Sequence, residues 1–478
     1  MPYKRVEISA DELARQREIC FEIRERIQAL GRQPLALVDT YGCQQNEADS
    51  EEIRGYIELM GYGFTDSEAE ADLIVVNTCA IREHAEMRVL GNVGALVHAK
   101  AKNPNLLVAV CGCMVQQPHM AEKLRKSFRV VDLVFGPHEL WRFPELYKRA
   151  RDTGKRVFDA PPSEGVVAEG LPVRRSGNVK AWLSIMYGCN NFCTYCIVPY
   201  VRGREKSRTI ESVVSEVEQL VSGGVREVTL LGQNVNSYGR NIYGEPRFAE
   251  LLRRVADTGV ERIRFTSSNP KDLSDATIAA MAETPAVMPH LHLAVQSGST
   301  RVLRAMNRSY TREEYLELVG RLRAAMPGLA LSTDIIVGFP GETEEDFQDT
   351  LSLVREASFS SAYTFIYSRR PGTPAAEMAD DTPREVIQER FDRLAALVAD
   401  QAHEANQAFL GGLVSVLVEG VSKRDAGVLV GHSEHNQTVH FALPDGRSSE
   451  GLVGSIVDVR VDEARTWYLR GAVEGEPR

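Results

Sequence analysis

The sequence lacks the features of a membrane or secreted protein. No stretch approaches the ~20 consecutive apolar residues that a membrane-spanning helix needs. The first twenty residues, "MPYKRVEISADELARQREIC", carry too many charges for a secretory signal peptide. These absences argue against a membrane protein and predict a location in the cytoplasm.

An excess of positive charge is also missing. The chain has 56 Lys and Arg residues against 66 Asp and Glu residues, which leaves a formal net charge of −10. Overall charge therefore gives no attraction for nucleic acid. A nucleic-acid partner would have to be held by a local basic surface.

Cysteine is rare, with eight residues in a chain of 478. Small secreted proteins that depend on disulfides contain far more cysteine, so a disulfide framework is not expected. Metal or redox chemistry is the better explanation for the cysteines that are present. The remaining composition, 43% hydrophobic and 26% charged, is ordinary for a globular protein of about three domains.

The order of expected strands and helices predicts an α/β protein with several domains. An amphipathic helix should form an N-terminal extension over residues 1–33. Strand–helix pairs predict a parallel α/β domain over residues 34–150, and residues 151–178, rich in Gly, Pro and charge, should be a linker. Six further strand–helix units over residues 179–405 predict an open (βα)6 barrel. Short alternating strands over residues 406–473 predict a small β-barrel.

Three cysteines lie close together directly after the first strand of the predicted (βα) barrel. These barrel cysteines are Cys189, Cys193 and Cys196. A closed zinc site uses four ligands, usually as two separated pairs. Three thiolates instead suit a 4Fe-4S cluster that leaves one iron open to a substrate, at the end of the barrel where active sites collect. Zinc or an inert cluster is the alternative.

A second set of three cysteines is spread along the N-terminal α/β domain. These sheet cysteines, Cys43, Cys79 and Cys113, each follow a predicted strand. The carboxyl ends of parallel strands lie at one edge of a sheet, so the three thiols can converge although they are distant in sequence. A second 4Fe-4S cluster with an open iron is predicted. Three unrelated core cysteines are the alternative.

The motifs around these cysteines resemble a known family. "GCNNFCTYCIVPY", with Tyr195 before the last cysteine, resembles the radical S-adenosylmethionine (SAM) superfamily. Together with "DTYGCQQNEADSE", "NTCAIREHAE" and "LLGQNVNSYG", it makes nearly the whole chain similar to the MiaB-type tRNA methylthiotransferases of the radical SAM methylthiotransferase family. The C-terminal barrel is similar to a TRAM domain, an RNA-binding module. In "VCGCMVQQ" the family's Gly-Cys register assigns Cys113 as ligand, and Cys111 is the alternative.

The resemblance implies a tRNA-modifying transferase. A cluster on the barrel cysteines would bind SAM and cleave it to a 5′-deoxyadenosyl radical, with an electron from a donor protein. A cluster on the sheet cysteines would carry the sulfur that another SAM methylates. The methylthio group would pass to C2 of an isopentenyladenosine adjacent to the anticodon of tRNA, on its 3′ side. The implied partners are SAM, the anticodon loop of tRNA and an electron donor, with neither DNA nor a membrane.

Further SAM contacts are expected near the carboxyl ends of the barrel strands, as in the superfamily. Glycine in such a position lets backbone approach a ligand closely. A structural role is the alternative for each candidate. The candidates are Tyr195 in the cysteine loop, Gln233 and Asn234 after the second strand, Gln296 and Ser297 after the fourth, and Asp334 and Gly338 in and after the fifth.

A basic run, "VRGREKSR", directly follows the barrel cysteines. Arg202, Arg204 and Lys206 stand in it at the predicted active-site mouth, which favours contact with RNA phosphates. A solvated charged face is the alternative, and SAM is the alternative partner of Arg202.

Two other functions remain open. A sister methylthiotransferase would act on threonylcarbamoyladenosine in tRNA or on a ribosomal protein. A protein of another class would be an iron–sulfur RNA-binding protein without catalysis.

Overall fold

The computed structural model describes residues 7–80, 83–162, 165–175, 177–443 and 448–478. Its first domain contains a sheet of six parallel strands in the order β2-β1-β3-β4-β5-β6. The strands are β1 (Leu35–Tyr41), β2 (Gly63–Phe64), β3 (Leu73–Thr78), β4 (Leu107–Gly112), β5 (Leu133–Phe135) and β6 (Val157–Asp159). The helices are α1 (Ala10–Gln28), α2 (Gln44–Leu59), α3 (Glu83–Ala95), α4 (Val97–Lys102), α5 (Pro118–Ser127) and α6 (Phe143–Thr153).

Alternate residues of the central strands are buried on opposite faces of this sheet. In β3, Leu73 and Val75 pack with α1, α2 and α6, whereas Ile74 and Val76 pack with α3 and α5. A strand covered on both faces is apolar at successive positions, which explains the run "LIVV". The sheet edge with the carboxyl ends of the strands stays available for the cysteine loops.

The linker predicted over residues 151–178 is wrong in its first part. Helix α6 continues to Thr153, and β6 pairs with β5 as the sixth strand of the sheet. Farther along, Arg175 forms ion pairs with Glu51 of α2 and with Glu216 of the second domain. A three-residue strand between Gly and Pro residues is too short to give a periodic signal in the sequence.

The second domain contains six parallel strands whose connections carry the helices. These strands are β7 (Lys180–Ser184), β10 (Glu227–Leu231), β11 (Arg262–Phe265), β12 (His290–His292), β13 (Ala330–Val337) and β14 (Ser361–Ile366), and a short pair, β8 (Met186–Tyr187) with β9 (Lys206–Ser207), flanks the cysteine loop. The helices are α7 (Val198–Val201), α8 (Ile210–Ser222), α9 (Arg240–Tyr243), α10 (Phe248–Ala256), α11 (Asp275–Glu283), α12 (Thr300–Ala305), α13 (Arg312–Ala325), α14 (Glu344–Ala357) and α15 (Arg384–Gln407).

This domain is an open barrel, as predicted. The strands form two three-stranded sheets, β7-β10-β11 and β12-β13-β14, which single parallel bridges such as Ile263 with Val287 connect. Strands β7 and β14 are the two edges of the row. The barrel is therefore open along one side, between β7 and β14.

The third domain is a closed five-stranded β-barrel, again as predicted. Its elements are β15 (Leu413–Val421), β16 (Val428–Ser433), β17 (Thr438–Ala442), α16 (Ser449–Leu452), β18 (Ile456–Ala464) and β19 (Leu469–Glu474). Arg262 and Arg264 of β11 donate hydrogen bonds to backbone carbonyls of this domain, including Ser415 and Ser433 at 3.0 and 2.7 Å. Arg262 begins β11, so the small barrel packs at the amino end of the barrel strands, opposite the cysteine loops. In the described part of the chain, none of the helices combines the length and apolar character needed to cross a bilayer.

Candidate functional site

The sheet cysteines lie at the carboxyl ends of three neighbouring strands. Cys43 follows β1 and begins α2, Cys79 follows β3, and Cys113 follows β4. Because β1, β3 and β4 lie side by side, their loops meet at one edge of the sheet. The thiols of Cys43 and Cys79 form a hydrogen bond there.

The backbone between Cys111 and Cys113 directs the second of them toward this edge. Gly112 has a φ of +94°, and a Cβ on it would lie 2.3 Å from the carbonyl oxygen of Thr78, so glycine is required. Cys111 is still within β4 and points into the core of the first domain. Cys113 packs against Val201 of α7, where the two domains meet.

The surroundings of Cys43 and Cys113 shift the pKa values of these two thiols in opposite directions. The hydrogen bond with Cys79 and the nearby charge of Arg202 lower the pKa of Cys43 to about 6, against the effect of burial. Burial dominates at Cys113 and raises its pKa to about 11, although Arg202 acts in the opposite direction. Arg202 thus lies close to two of the three thiols.

The barrel cysteines are held in a loop that is tied to its surroundings through the backbone. The N–H of Cys189 donates to the carbonyl of Gly203 at 3.1 Å, and the N–H of Cys196 donates to that of Cys193 at 2.9 Å. Arg308 approaches Cys193 with Nη1 at 3.5 Å from the sulfur. Burial raises the pKa of Cys189 to about 12, and burial together with the neighbouring thiols raises that of Cys196.

The donor chemistry of both sets fits an iron–sulfur cluster. Each set offers three sulfur ligands on loops at the end of parallel strands. Over residues 7–80, 83–162, 165–175, 177–443 and 448–478, no three His, Cys, Asp or Glu side chains are arranged to hold a single metal ion. A cluster does not need that arrangement, because each thiolate binds a different iron.

The first domain covers the mouth of the barrel next to the barrel cysteines. Gln45 of α2 donates to Ser184 Oγ at 2.7 Å and accepts from Gln233 Nε2 at 3.4 Å. In the described structure, Gln233 Oε1 and Asn234 Oδ1 are buried without a donor, while Asn234 Nδ2 donates to Asp272 at 2.8 Å. Buried oxygens that lack donors suit a ligand that brings amino or hydroxyl groups, as SAM does.

The other predicted SAM contacts divide between the mouth and the protein interior. Gln296 has a φ of +71°, a strained conformation for a residue other than glycine, and its backbone pairs with β13. Asp334 lies inside the barrel, 3.4 Å from His292 Nε2. Tyr195 packs against Ile336 and other apolar residues below the cysteine loop, and burial raises the pKa of its hydroxyl.

Two of the predicted SAM contacts have partners within the fold. Ser297 is fully buried, and its hydroxyl accepts from the N–H of Ser299 at 3.2 Å. Gly338 has a φ of +71° and lies against α15, where a Cβ would be 2.6 Å from Ile387 Cγ2. Its N–H donates to Glu342 at 2.8 Å. Both residues satisfy needs of the fold, which strand-end position alone cannot distinguish from ligand contact.

The basic run after the barrel cysteines is mostly interior, so its predicted contact with RNA phosphates is wrong for two residues. Arg202 is 5% exposed and Lys206 is 2% exposed. Lys206 donates to the carbonyl of Gly165, and Arg202 donates to Cys113 of the sheet cysteines. Arg204 is half-buried, with its guanidinium 4.1 Å from the centre of the Phe192 ring in the cysteine loop. The segment passes between two domains, which the sequence pattern does not reveal.

Several polar residues between the two domains were not predicted from the sequence. Glu205 accepts from the N–H of Asn190 at 3.3 Å and from Asn234 at 3.5 Å, so it links the cysteine loop to the loop after β10. Asp49 forms a 2.7 Å ion pair with Arg202 across the domain boundary. The spacing of Gln45 and Asp49 on one face of α2 was the available hint.

Three family models match successive parts of the chain, in the order of the three domains. A family model described as "Uncharacterized protein family UPF0004" matches residues 36–136. The radical SAM superfamily matches residues 183–354, and the TRAM domain matches residues 407–473.

Three curated proteins of similar sequence carry the same name. The chain is 48% identical to a tRNA-2-methylthio-N(6)-dimethylallyladenosine synthase of Acetivibrio thermocellus over 98% of both chains. It is 49% identical to the protein of the same name from Alkaliphilus oremlandii over 98% of both chains. The corresponding protein of Caldicellulosiruptor saccharolyticus is 52% identical over 91% of both chains.

Solved structures show the fold at lower identity. The radical S-adenosylmethionine methyltransferase TsrM from Kitasatospora setae, bound to tryptophan and a SAM analogue, matches with a TM-score of 0.56 and 16% identity. The match covers 72% of this chain and 75% of that one. A second TsrM structure, with cobalamin and a [4Fe-4S] cluster, matches with a TM-score of 0.52 and 15% identity over 72% and 74% of the two chains.

Proposed function

The chain belongs to the family of tRNA-2-methylthio-N(6)-dimethylallyladenosine synthases, and we propose that it adds a methylthio group to C2 of the isopentenylated (dimethylallylated) adenosine adjacent to the anticodon of tRNA. The observation that carries this assignment is the meeting of two three-cysteine sets at one domain boundary, with Arg202 in contact with Cys113. A single three-cysteine set would serve SAM cleavage alone. The second set supplies a separate place for sulfur.

The enzyme uses SAM and two 4Fe-4S clusters. We assign one cluster to Cys189, Cys193 and Cys196 and the other to the sheet cysteines. When bound, these groups supply the radical chemistry that an adenine C2–H bond requires, since no side-chain acid or base activates that bond at neutral pH.

The side chains around the clusters bind and orient the reactants. Gln233 Oε1 and Asn234 Oδ1 would accept hydrogen bonds from the polar groups of SAM. Glu205 holds the cysteine loop through the N–H of Asn190, and Gln45 holds the first domain over the barrel mouth. This cover excludes water, which protects a reactive radical from side reactions.

The open side of the barrel offers a surface for the adenine base. Tyr363 and Phe365 of β14 are 58% and 37% exposed, which is unusual for large apolar side chains. They pair in register with Asp334 and Ile336 of β13, so they share the inner face of the barrel with Asp334. Aromatic rings stack with unpaired bases, and the anticodon loop presents its bases in single-stranded form.

The assignment brings further partners. Reductive cleavage of SAM needs an electron, so an electron-donor protein is part of the proposal. We also place the enzyme in the cytoplasm with its tRNA substrate, where thiols stay reduced and clusters can assemble. Arg204, on the rim of the cysteine loop, remains a proposed contact for RNA phosphate.

The test is to supply the anaerobically reconstituted enzyme with SAM, a reductant and matched tRNAs. One tRNA carries isopentenyladenosine next to the anticodon, one carries threonylcarbamoyladenosine, and one is unmodified. Mass analysis of the nucleosides should find a methylthio group on the first tRNA only. Preferential modification of the second would refute the substrate. Absence of both 5′-deoxyadenosine and tRNA modification would instead indicate an iron–sulfur RNA-binding protein without catalysis.

A further inference from the structure

Arg202 joins the two cysteine sets physically. It ends α7, the helix that follows the barrel cysteines, and its N–H donates to the carbonyl of Val198 at 2.8 Å. Its side chain crosses into the first domain, where Nε donates to Cys113 Sγ at 3.0 Å and Nη2 donates to Asp49 Oδ2 at 2.7 Å. Arg202 and Asp49 are 5% and 6% exposed, so water screens these contacts little.

We propose that Arg202 is a positioning residue that raises the reduction potential of the cluster on the sheet cysteines, and that Asp49 limits this effect. The inference rests on the proposed function, because it requires a cluster at that site. Reduction adds negative charge to a cluster and its thiolates. A cationic N–H group hydrogen-bonded to a ligand sulfur stabilises that added charge.

Asp49 acts on the same cluster with the opposite sign. Its carboxylate offsets part of the arginine charge and orients the guanidinium so that Nε faces Cys113. Asp49 also accepts from Gln45 Nε2 at 3.1 Å, so its own position is fixed from within α2. A lysine in place of Arg202 would keep the charge, but its single nitrogen cannot reproduce the fixed two-nitrogen geometry.

A purely structural role for this ion pair makes a different prediction. If Arg202 and Asp49 only hold the domains together, removing either partner loosens the same contact and has the same effect. If they act on the cluster electrostatically, removing the cation and removing the anion shift its potential in opposite directions. The sign of the shift therefore separates the two roles.

The experiment uses the full chain carrying C189A, C193A and C196A, so that the sheet cysteines hold the remaining cluster. This parent and its additional Arg202→Gln (R202Q), R202K and D49N variants are reconstituted anaerobically, and iron is counted. Each is then titrated electrochemically with electron paramagnetic resonance as the readout. R204Q is the matched control, because it removes a positive charge from the same loop, where Arg204 stacks on Phe192.

The expected potentials decrease in the order D49N, parent, R202K, R202Q, with R204Q equal to the parent. For R202Q we expect at least a tenfold lower ratio of reduced to oxidised cluster at a fixed potential, or about 59 mV for one electron. Equal potentials, or shifts of R202Q and D49N in the same direction, would overturn the inference and leave the proposed function intact. A parent that binds no cluster would overturn both. If R202Q loses its cluster, equal potentials of R202K and D49N would overturn the inference.

Discussion

Replacement of Gly112 by alanine tests whether the turn between β4 and Cys113 builds the sheet-cysteine site. A residue with a side chain in the left-handed region costs about 1–2 kcal/mol. The new Cβ would also lie 2.3 Å from Thr78 O and from Asn77 Oδ1, so neighbouring atoms must move. Overpacking of this kind costs about 1–3 kcal/mol more. We therefore expect Gly112→Ala to weaken this edge of the sheet by about 2–5 kcal/mol in total.

Gly154 is the matched control for this substitution. It ends α6 with a φ of +61°, and a Cβ there would have no neighbour within 4 Å among the described residues. Gly154→Ala should therefore show the backbone term of about 1–2 kcal/mol alone. The difference in lost stability between Gly112→Ala and Gly154→Ala gives the cost of the close contact between the new Cβ and β3.

Hydrogen–deuterium exchange of the apoprotein is the suitable assay, because it reports local opening and needs no two-state unfolding of a three-domain chain. A loss of about 2 kcal/mol corresponds to roughly 30-fold faster exchange, at tenfold per 1.4 kcal/mol. We expect this acceleration in β3 and β4 of Gly112→Ala, with iron binding reduced to about one cluster after reconstitution. Exchange no faster than in unaltered protein, with full iron content, would refute the role given to Gly112.

Three further predictions address the chemistry, the substrate and the pH dependence. Alanine at any of the barrel cysteines Cys189, Cys193 and Cys196 should abolish 5′-deoxyadenosine formation. Alanine at any of the sheet cysteines Cys43, Cys79 and Cys113 should spare 5′-deoxyadenosine formation and abolish methylthiolation. C111A should keep both activities, and loss of activity in C111A with retention in C113A would reverse the ligand assignment. Tyr363→Ala should weaken binding of an isopentenylated anticodon stem-loop about tenfold, since base stacking contributes roughly 1–3 kcal/mol. Tyr363→Phe keeps the ring and should bind normally. Equal affinity of the unaltered protein and both variants would contradict the stacking role. Burial, with the charges of Arg202 and Lys206, lowers the pKa of His138 to about 4, so the unfolded chain binds a proton that the folded chain does not. The local stability of the apoprotein's first domain should therefore fall as pH decreases from about 6.5 to about 4. His138→Gln should reduce this dependence when local opening is measured by hydrogen–deuterium exchange at several pH values. An unchanged profile would contradict the assignment.

The sequence alone determined the architecture and the chemical class. Cys189, Cys193 and Cys196 lie in one short loop, so their spacing is a local property that needs no tertiary information. The sheet cysteines were also predictable as a group, because parallel topology brings the loops after neighbouring strands to one edge. The open (βα) barrel and the closed C-terminal barrel followed from strand–helix alternation and from short alternating strands, which backbone periodicity dictates.

Tertiary structure decided which side chains face a ligand and which face the protein. Arg202 and Lys206 belong to a basic run that resembles an exposed surface segment, yet this segment lies between two domains. Arg202 contacts Cys113, which is 89 positions away in the chain. Ser297 occupies a strand end like many ligand contacts, but its hydroxyl is satisfied inside the fold. Arg262 and Arg264 of β11 face the C-terminal barrel. Such pairings depend on how loops and domains pack against one another, and charge or periodicity within one segment carries no information about the surface that will cover it.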